Sequence, residues 1–222
     1  MIRRDYIIRM IEEFIQALAR IRALRSEGRE AGAAEALDEE FQRLTGSGAS
    51  TVARLSDVEL EALLLRGEPT QLIRQKTFIL TALLKEAGDL ALARDAGEEA
   101  RVCYLRALHL LLKVMGDNDG FEAPEFVPRI EVILGALSHE PLPAETAARL
   151  MLHFERMGEY GRAEDVLFDM IEAEPARPGL AQFGIAFYER VARHSDRALE
   201  NGNLPRAELE AGLAELRGRA QR

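Results

Sequence analysis

Four histidines, one cysteine and several carboxylate pairs are the side chains best equipped for chemistry, and their spacing decides how much they can do. His109, His139, His153 and His194 each stand more than four residues from one another and from Cys103. A metal site built on one helix or hairpin needs nitrogen or sulfur ligands a few residues apart, so no local metal site can be drawn. The DNDG at residues 117–120 carries part of a calcium-loop pattern. Aligning Asp117, Asp119 and Gly120 to that loop places Met115 at the first ligand position and Phe126 at the last, where oxygen ligands are required. Neither a metal nor a cofactor is expected.

Nucleophilic and phosphate chemistry are no better served. The stretch GSGAST lacks the lysine of a phosphate-binding loop and follows no apolar strand, so it reads as a linker. No GxSxG elbow occurs. Cys103 lies between Val102 and Tyr104 in a helical pattern, the setting of a buried structural thiol. The carboxylate pairs Glu12–Glu13, Glu39–Glu40 and Glu98–Glu99 are adjacent on helices, point in different directions and read as solvated faces. With no catalytic constellation assembled, the chain is expected not to be an enzyme.

The elements that would position these residues are helical. Apolar residues make up 47% and charged residues 30% of the 222, which excludes general disorder. Ala, Leu, Glu and Arg dominate and beta-branched runs are scarce, so the expected class is all-α. A net charge of −9 opposes a nucleic-acid partner. Asp5, Glu12 and Glu13 interrupt any export signal behind Arg3 and Arg4. The longest uncharged run, Pro178 to Tyr188, is too short to span a bilayer, and a cytoplasmic setting without membrane contact is expected.

Helical periodicity predicts a first helix over residues 6–24, with Ile7, Ile11, Phe14, Leu18 and Ile21 on one apolar stripe that Ile8 and Ile15 widen. Further helices are predicted over 33–44, 57–65, 70–94, 98–115, 127–137, 144–157, 161–174, 180–200 and 205–219. The Gly/Ser stretch at 45–51 divides the chain into an amphipathic segment, residues 1–45, and a helical domain, residues 52–222. The short turn supplied by DAGEE makes the two long helices antiparallel neighbours.

Ala163, Leu167 and Pro175 keep the small, large and proline spacing of the second helix of a tetratricopeptide repeat. Leu150 and Phe154 stand where the first helix supplies its packing residues, while Ala147 and Met151 replace the usual tryptophan and glycine. Ala100, Tyr104 and Ala107, and then Ala207, Ala211 and Ala214, form weaker copies at irregular intervals. The region therefore resembles a degenerate tetratricopeptide-like array, with a plain helical bundle as the alternative. MIRRDYIIRMIEEFIQALARI, followed by YLRALHLLL, is similar to the start of an uncharacterised bacterial family of tetratricopeptide-like proteins, a domain of unknown function. That resemblance implies a helical array in a bacterial cytoplasm and carries over no activity.

Such an array binds through its first helices. Transfer of the repeat pattern places Ala148, Leu152 and Glu155 on the inner face, with Arg74, Gln75, Gln182 and Arg193 as polar candidates. The expected partner is a protein or peptide, with a ligand- or peptide-sensing regulator as the alternative function. The stripe Ile7, Ile11, Phe14, Leu18 and Ile21 must be buried somewhere: within the chain, or in a homodimer built on the first helix.

Overall fold

In a computed structural model, which describes residues 2–65, 70–116 and 123–220, every regular element is an α-helix. The chain divides into two compact units, Met1–His139 and Glu140–Arg222. This division falls nearly ninety residues beyond the Gly/Ser stretch, where the sequence suggests a boundary between residues 45 and 52. Its reason is packing: the helices on both sides of that stretch share one core.

The first unit comprises α1 (Ile2–Ser26), α2 (Glu30–Thr45), α3 (Ala49–Ala53), α4 (Asp57–Leu65), α5 (Thr70–Ala93), α6 (Gly97–Gly116) and α7 (Ile130–Leu137). Apolar residues occur on nearly every side of α5, and a helix of that composition must be covered all round. It is packed by α1, α2, α3, α4 and α6. Phe78, Ile79, Leu80, Leu83 and Leu84 fill the centre of the unit. Thr77 and Thr81 satisfy their buried hydroxyls by donating to the carbonyls of Ile73 and Thr77, both at 2.8 Å.

The Gly/Ser stretch is shorter as a loop than expected. Gly46 closes α2 in the left-handed conformation, φ 74°, and α3 begins at Ala49, whose N–H donates to the Asp38 carboxylate at 2.7 Å. Ser56 starts α4 with a capping box: its N–H donates to the Glu59 carboxylate at 2.8 Å while its own Oγ accepts from the Glu59 N–H. Those hydrogen bonds, led by the one from the Ser56 hydroxyl, hold the Glu59 carboxyl below its usual range.

The second unit comprises α8 (Ala144–Met157), α9 (Tyr160–Ala173), α10 (Leu180–Val191), α11 (Asp196–Asn201) and α12 (Arg206–Ala220). Here α8 pairs with α9 and α10 with α12. Gly158 ends α8 at φ 75°, as the turn between paired helices requires. Leu150, Phe154, Ala163 and Leu167 are all buried, so the spacing that marked this pair does mark its contact. Ala100, Tyr104 and Ala107 are likewise buried on α6.

The last copy is in a different register. Ala207, Ala211 and Ala214 face solvent, and α12 instead buries Leu209, Gly212 and Leu216. Gly212 takes the small position because the Tyr188 ring and hydroxyl lie against its Cα; a Cβ there would overlap them. Gly161 also serves a close contact. Its N–H donates to the Gly202 carbonyl at 2.8 Å, and the Asn203 carbonyl occupies the space a side chain would need. The helix predicted over 180–200 is two, broken at Ser195, whose hydroxyl caps α11 by accepting from Ala198 N–H.

Candidate functional site

Two polar clusters of the first unit bring chemistry-bearing residues together. Asp57 and Glu61 lie one turn apart on α4, and Arg106, His109 and Lys113 follow at spacings of three and four on α6. His109 is buried between the carboxylates, with Nδ1 3.1 Å from Asp57 Oδ2 and Nε2 3.1 Å from Glu61 Oε1. Each ring nitrogen thus faces a carboxylate oxygen, an acceptor when ionised. Arg106 also pairs with Asp57, and Lys113 with Glu61. Burial works to raise the Glu61 carboxyl, but Lys113 and His109 outweigh it and hold it below its usual range.

Both ring nitrogens and both carboxylates are engaged with one another or with the neighbouring Arg106 and Lys113. The cluster is a clasp between α4 and α6. Its signature was present in the sequence as two complementary charged stripes, acidic at 57 and 61 and basic at 106, 109 and 113. A search for ligands close together in the chain passes over it.

The second cluster joins α1 to α5. Glu86 is fully buried and accepts from Arg22 Nε and from Arg25 Nη1, each at 2.7 Å. Asp89 pairs with Arg25, receives Lys85 Nζ at 2.7 Å and accepts the Tyr104 hydroxyl at 2.9 Å. Burial first, and then the neighbouring Asp89 charge, push the Tyr104 phenol well above its usual range. Gly88 lets the ring in: a Cβ there would stand 2.6 Å from Tyr104 Cε1. Burial similarly pushes the Cys103 thiol up to about 11, which suits a packing residue rather than a nucleophile.

In the second unit, the Glu155 carboxylate receives Arg190 Nε and Nη2, both at 2.7 Å, and so ties α8 to α10. This bidentate pair raises the Arg190 guanidinium, chiefly through the hydrogen bond to Glu155. Glu155 is therefore occupied, while Leu152, one turn earlier on the same ridge, is exposed and Ala148 is half-buried. Gln182 and Arg193 are exposed at the two ends of α10. Arg74 and Gln75 are half-buried on α5 of the first unit, where Gln75 Oε1 has no hydrogen-bond partner.

The first-helix stripe is corrected in part. Phe14, Leu18 and Ile21 are at most 2% exposed within the single chain, packed in the unit that α1 shares with α2 and α5. They cannot serve a dimer interface without unfolding that core. Ile7 and Ile11 are half-buried, and the exposed apolar residues of α1 are Tyr6, Ile8 and Ile15.

Of the remaining histidines, His153 is buried beside Phe154, His194 stacks on Tyr160 with ring centroids 5.2 Å apart, and His139 is exposed. Among the described residues, no group of three or more His, Cys, Asp or Glu side chains could hold a metal ion, and no helix is long and apolar enough to cross a membrane. The DNDG at 117–120 lies outside the described residues.

A family of unknown function, DUF6483, matches residues 1–221. The chain belongs to this family. The match runs through both units. No curated protein and no solved structure shows significant similarity to the chain.

Proposed function

We propose that the protein is a non-catalytic, tetratricopeptide-like module of the bacterial cytoplasm that binds a protein or peptide on the face where the Glu155–Arg190 pair ties α8 to α10. The observation that carries this reading is the Glu155–Arg190 pair. It joins the first helices of two successive helical pairs, the helices that line the binding face in such arrays, and it leaves Leu152 open beside it. A rigid ridge with an exposed apolar side chain next to a compensated ion pair suits an extended or helical segment that offers an apolar anchor. The polar clusters favour binding over catalysis because their donors and acceptors are turned on one another.

A photo-crosslinking amino acid at position 152 would identify the partner, and the purified partner segment would then be titrated into the chain and into Leu152→Glu. Burying a charge opposite an apolar anchor should weaken binding by roughly a hundredfold, with helical content unchanged. Equal affinity in the variant would remove this face from consideration.

A further inference from the structure

We propose that the cleft between α1, α2 and α5 in the first unit is a binding site for a small amphiphilic carboxylate. The cleft encloses about 250 Å³. Its floor is Phe14 and Ile79, buried core residues, and its walls include Met10 and Leu44. An apolar floor of that kind selects a ligand with an apolar body.

The rim decides the sign of the head group. Two carboxylates reach the cleft, Glu13 and Glu40, and one guanidinium claims both: Arg43 Nη1 lies 3.3 Å from Glu13 Oε2, and Arg43 Nη2 lies 2.5 Å from Glu40 Oε2. Arg9 and Lys76 complete the rim. Beside that shared pair, the Arg9 guanidinium makes no ion pair or hydrogen bond with any described residue. Glu13, one turn along α1 from Arg9, would be its natural partner but is turned to Arg43. A carboxylate seated above Phe14 and Ile79 would give Arg9 the planar, two-pronged acceptor that its fork geometry fits.

Volume sets the size. The cleft is smaller than the roughly 300–1,000 Å³ of sites for drug-sized ligands, so it suits a short-chain acid and not a peptide or a nucleotide. Its lining comes from three helices of one unit, and a ligand there binds the folded chain and not the unfolded one.

Octanoate tests the assignment, with octanol and octylammonium as probes of equal chain length. The full chain would be titrated calorimetrically with each, beside Arg9→Glu and Leu44→Trp. Octanoate should bind with one-to-one stoichiometry, and the other two probes at least roughly tenfold more weakly, because only the anion gains a charged partner. Arg9→Glu should weaken octanoate by a similar factor, and Leu44→Trp, by filling the cleft, should abolish binding. Should Leu44→Trp lose its helical circular dichroism, Met10→Trp fills the same space from α1. Failure of octanoate to bind, equal binding of octanol or octylammonium, or undiminished binding to Arg9→Glu would each overturn the proposal.

Discussion

The two units bury a carboxyl group in opposite ways. In the first, Glu86 is fully enclosed and two arginines from α1 meet it, so the charge is matched by charge. In the second, Glu164 is nearly as deep, but its partner is the neutral Tyr188 hydroxyl and the nearest charges, Glu208 and Asp165, are of its own sign. Beyond these two acids the difference is one of emphasis: ion pairs join α1 to α5 and α4 to α6 in the first unit, whereas in the second the close approach of other atoms to Gly161, Gly184, Gly202 and Gly212 works beside the Glu155–Arg190 pair. Electrostatic pairing is weakened by water and salt, and steric fit is not.

The largest effect should come from violating the steric rule. In Gly161→Ala the new Cβ would meet the Asn203 carbonyl, a backbone atom that cannot swing aside, and the Gly161 to Gly202 hydrogen bond would be strained with it. Overpacking of this kind costs about 1–3 kcal/mol, occasionally more, and at roughly 2–4 °C per kcal/mol thermal unfolding should occur up to about 10 °C lower. Gly135→Ala, at a position with open space, is the control and should leave the transition unchanged or slightly raised. An unaltered transition in Gly161→Ala would mean that the α11–α12 connection is not held by this contact.

A smaller effect should follow from breaking the charge rule. Glu86→Gln removes the carboxylate that Arg22 and Arg25 share, while both arginines keep partial access to solvent. Because they can rehydrate, the loss should fall below the 3–5 kcal/mol of a fully buried pair, at about 1–2 kcal/mol. Its salt dependence is the sharper readout. Wild-type stability should fall as salt rises from low to moderate concentration, and the variant should respond less. A variant as salt-sensitive as the wild type would place the salt response outside this cluster.

These contrasts explain which features the sequence displayed. Helices follow from the period of apolar residues, which is local, and so α5, α6, α8 and α9 were legible almost to the residue. The α8–α9 contact was legible too, because Leu150, Phe154, Ala163 and Leu167 lie within one hairpin. By contrast, the pairs Arg22–Glu86 and Asp57–His109 span 64 and 52 residues of chain, and charge alone does not say which of many partners it will meet. The α12 register was misread because alanine occupies both exposed helix positions and close contacts. Gly212 was the informative small residue, and its meaning depends on Tyr188 arriving from another helix. Of the face proposed to bind a partner, the repeat spacing pointed to Glu155, but not to Arg190 already holding it.

The finest comparison is between the two buried carboxyls themselves, through pH. Burial, the leading cause, raises the Glu164 carboxyl above its usual range, with Glu208 and Asp165 adding to the shift and the Tyr188 hydroxyl opposing it. A raised carboxyl binds its proton more readily in the folded chain than in the unfolded one. Its contribution to stability is therefore complete below the ordinary carboxylate range and is lost as pH rises through the raised folded value. Glu164→Gln keeps an acceptor for Tyr188 but cannot ionise. Thermal unfolding from pH 4 upward should therefore show a descending component in the wild type that is missing from the variant, and the two curves should converge at the acidic end. Glu86→Gln is the control, since it leaves Glu164 in place and should not remove the descending component. If Glu164→Gln instead leaves the wild-type slope intact, the Glu164 carboxyl is hydrated in solution, and close packing is not the rule by which the second unit closes around its one buried acid.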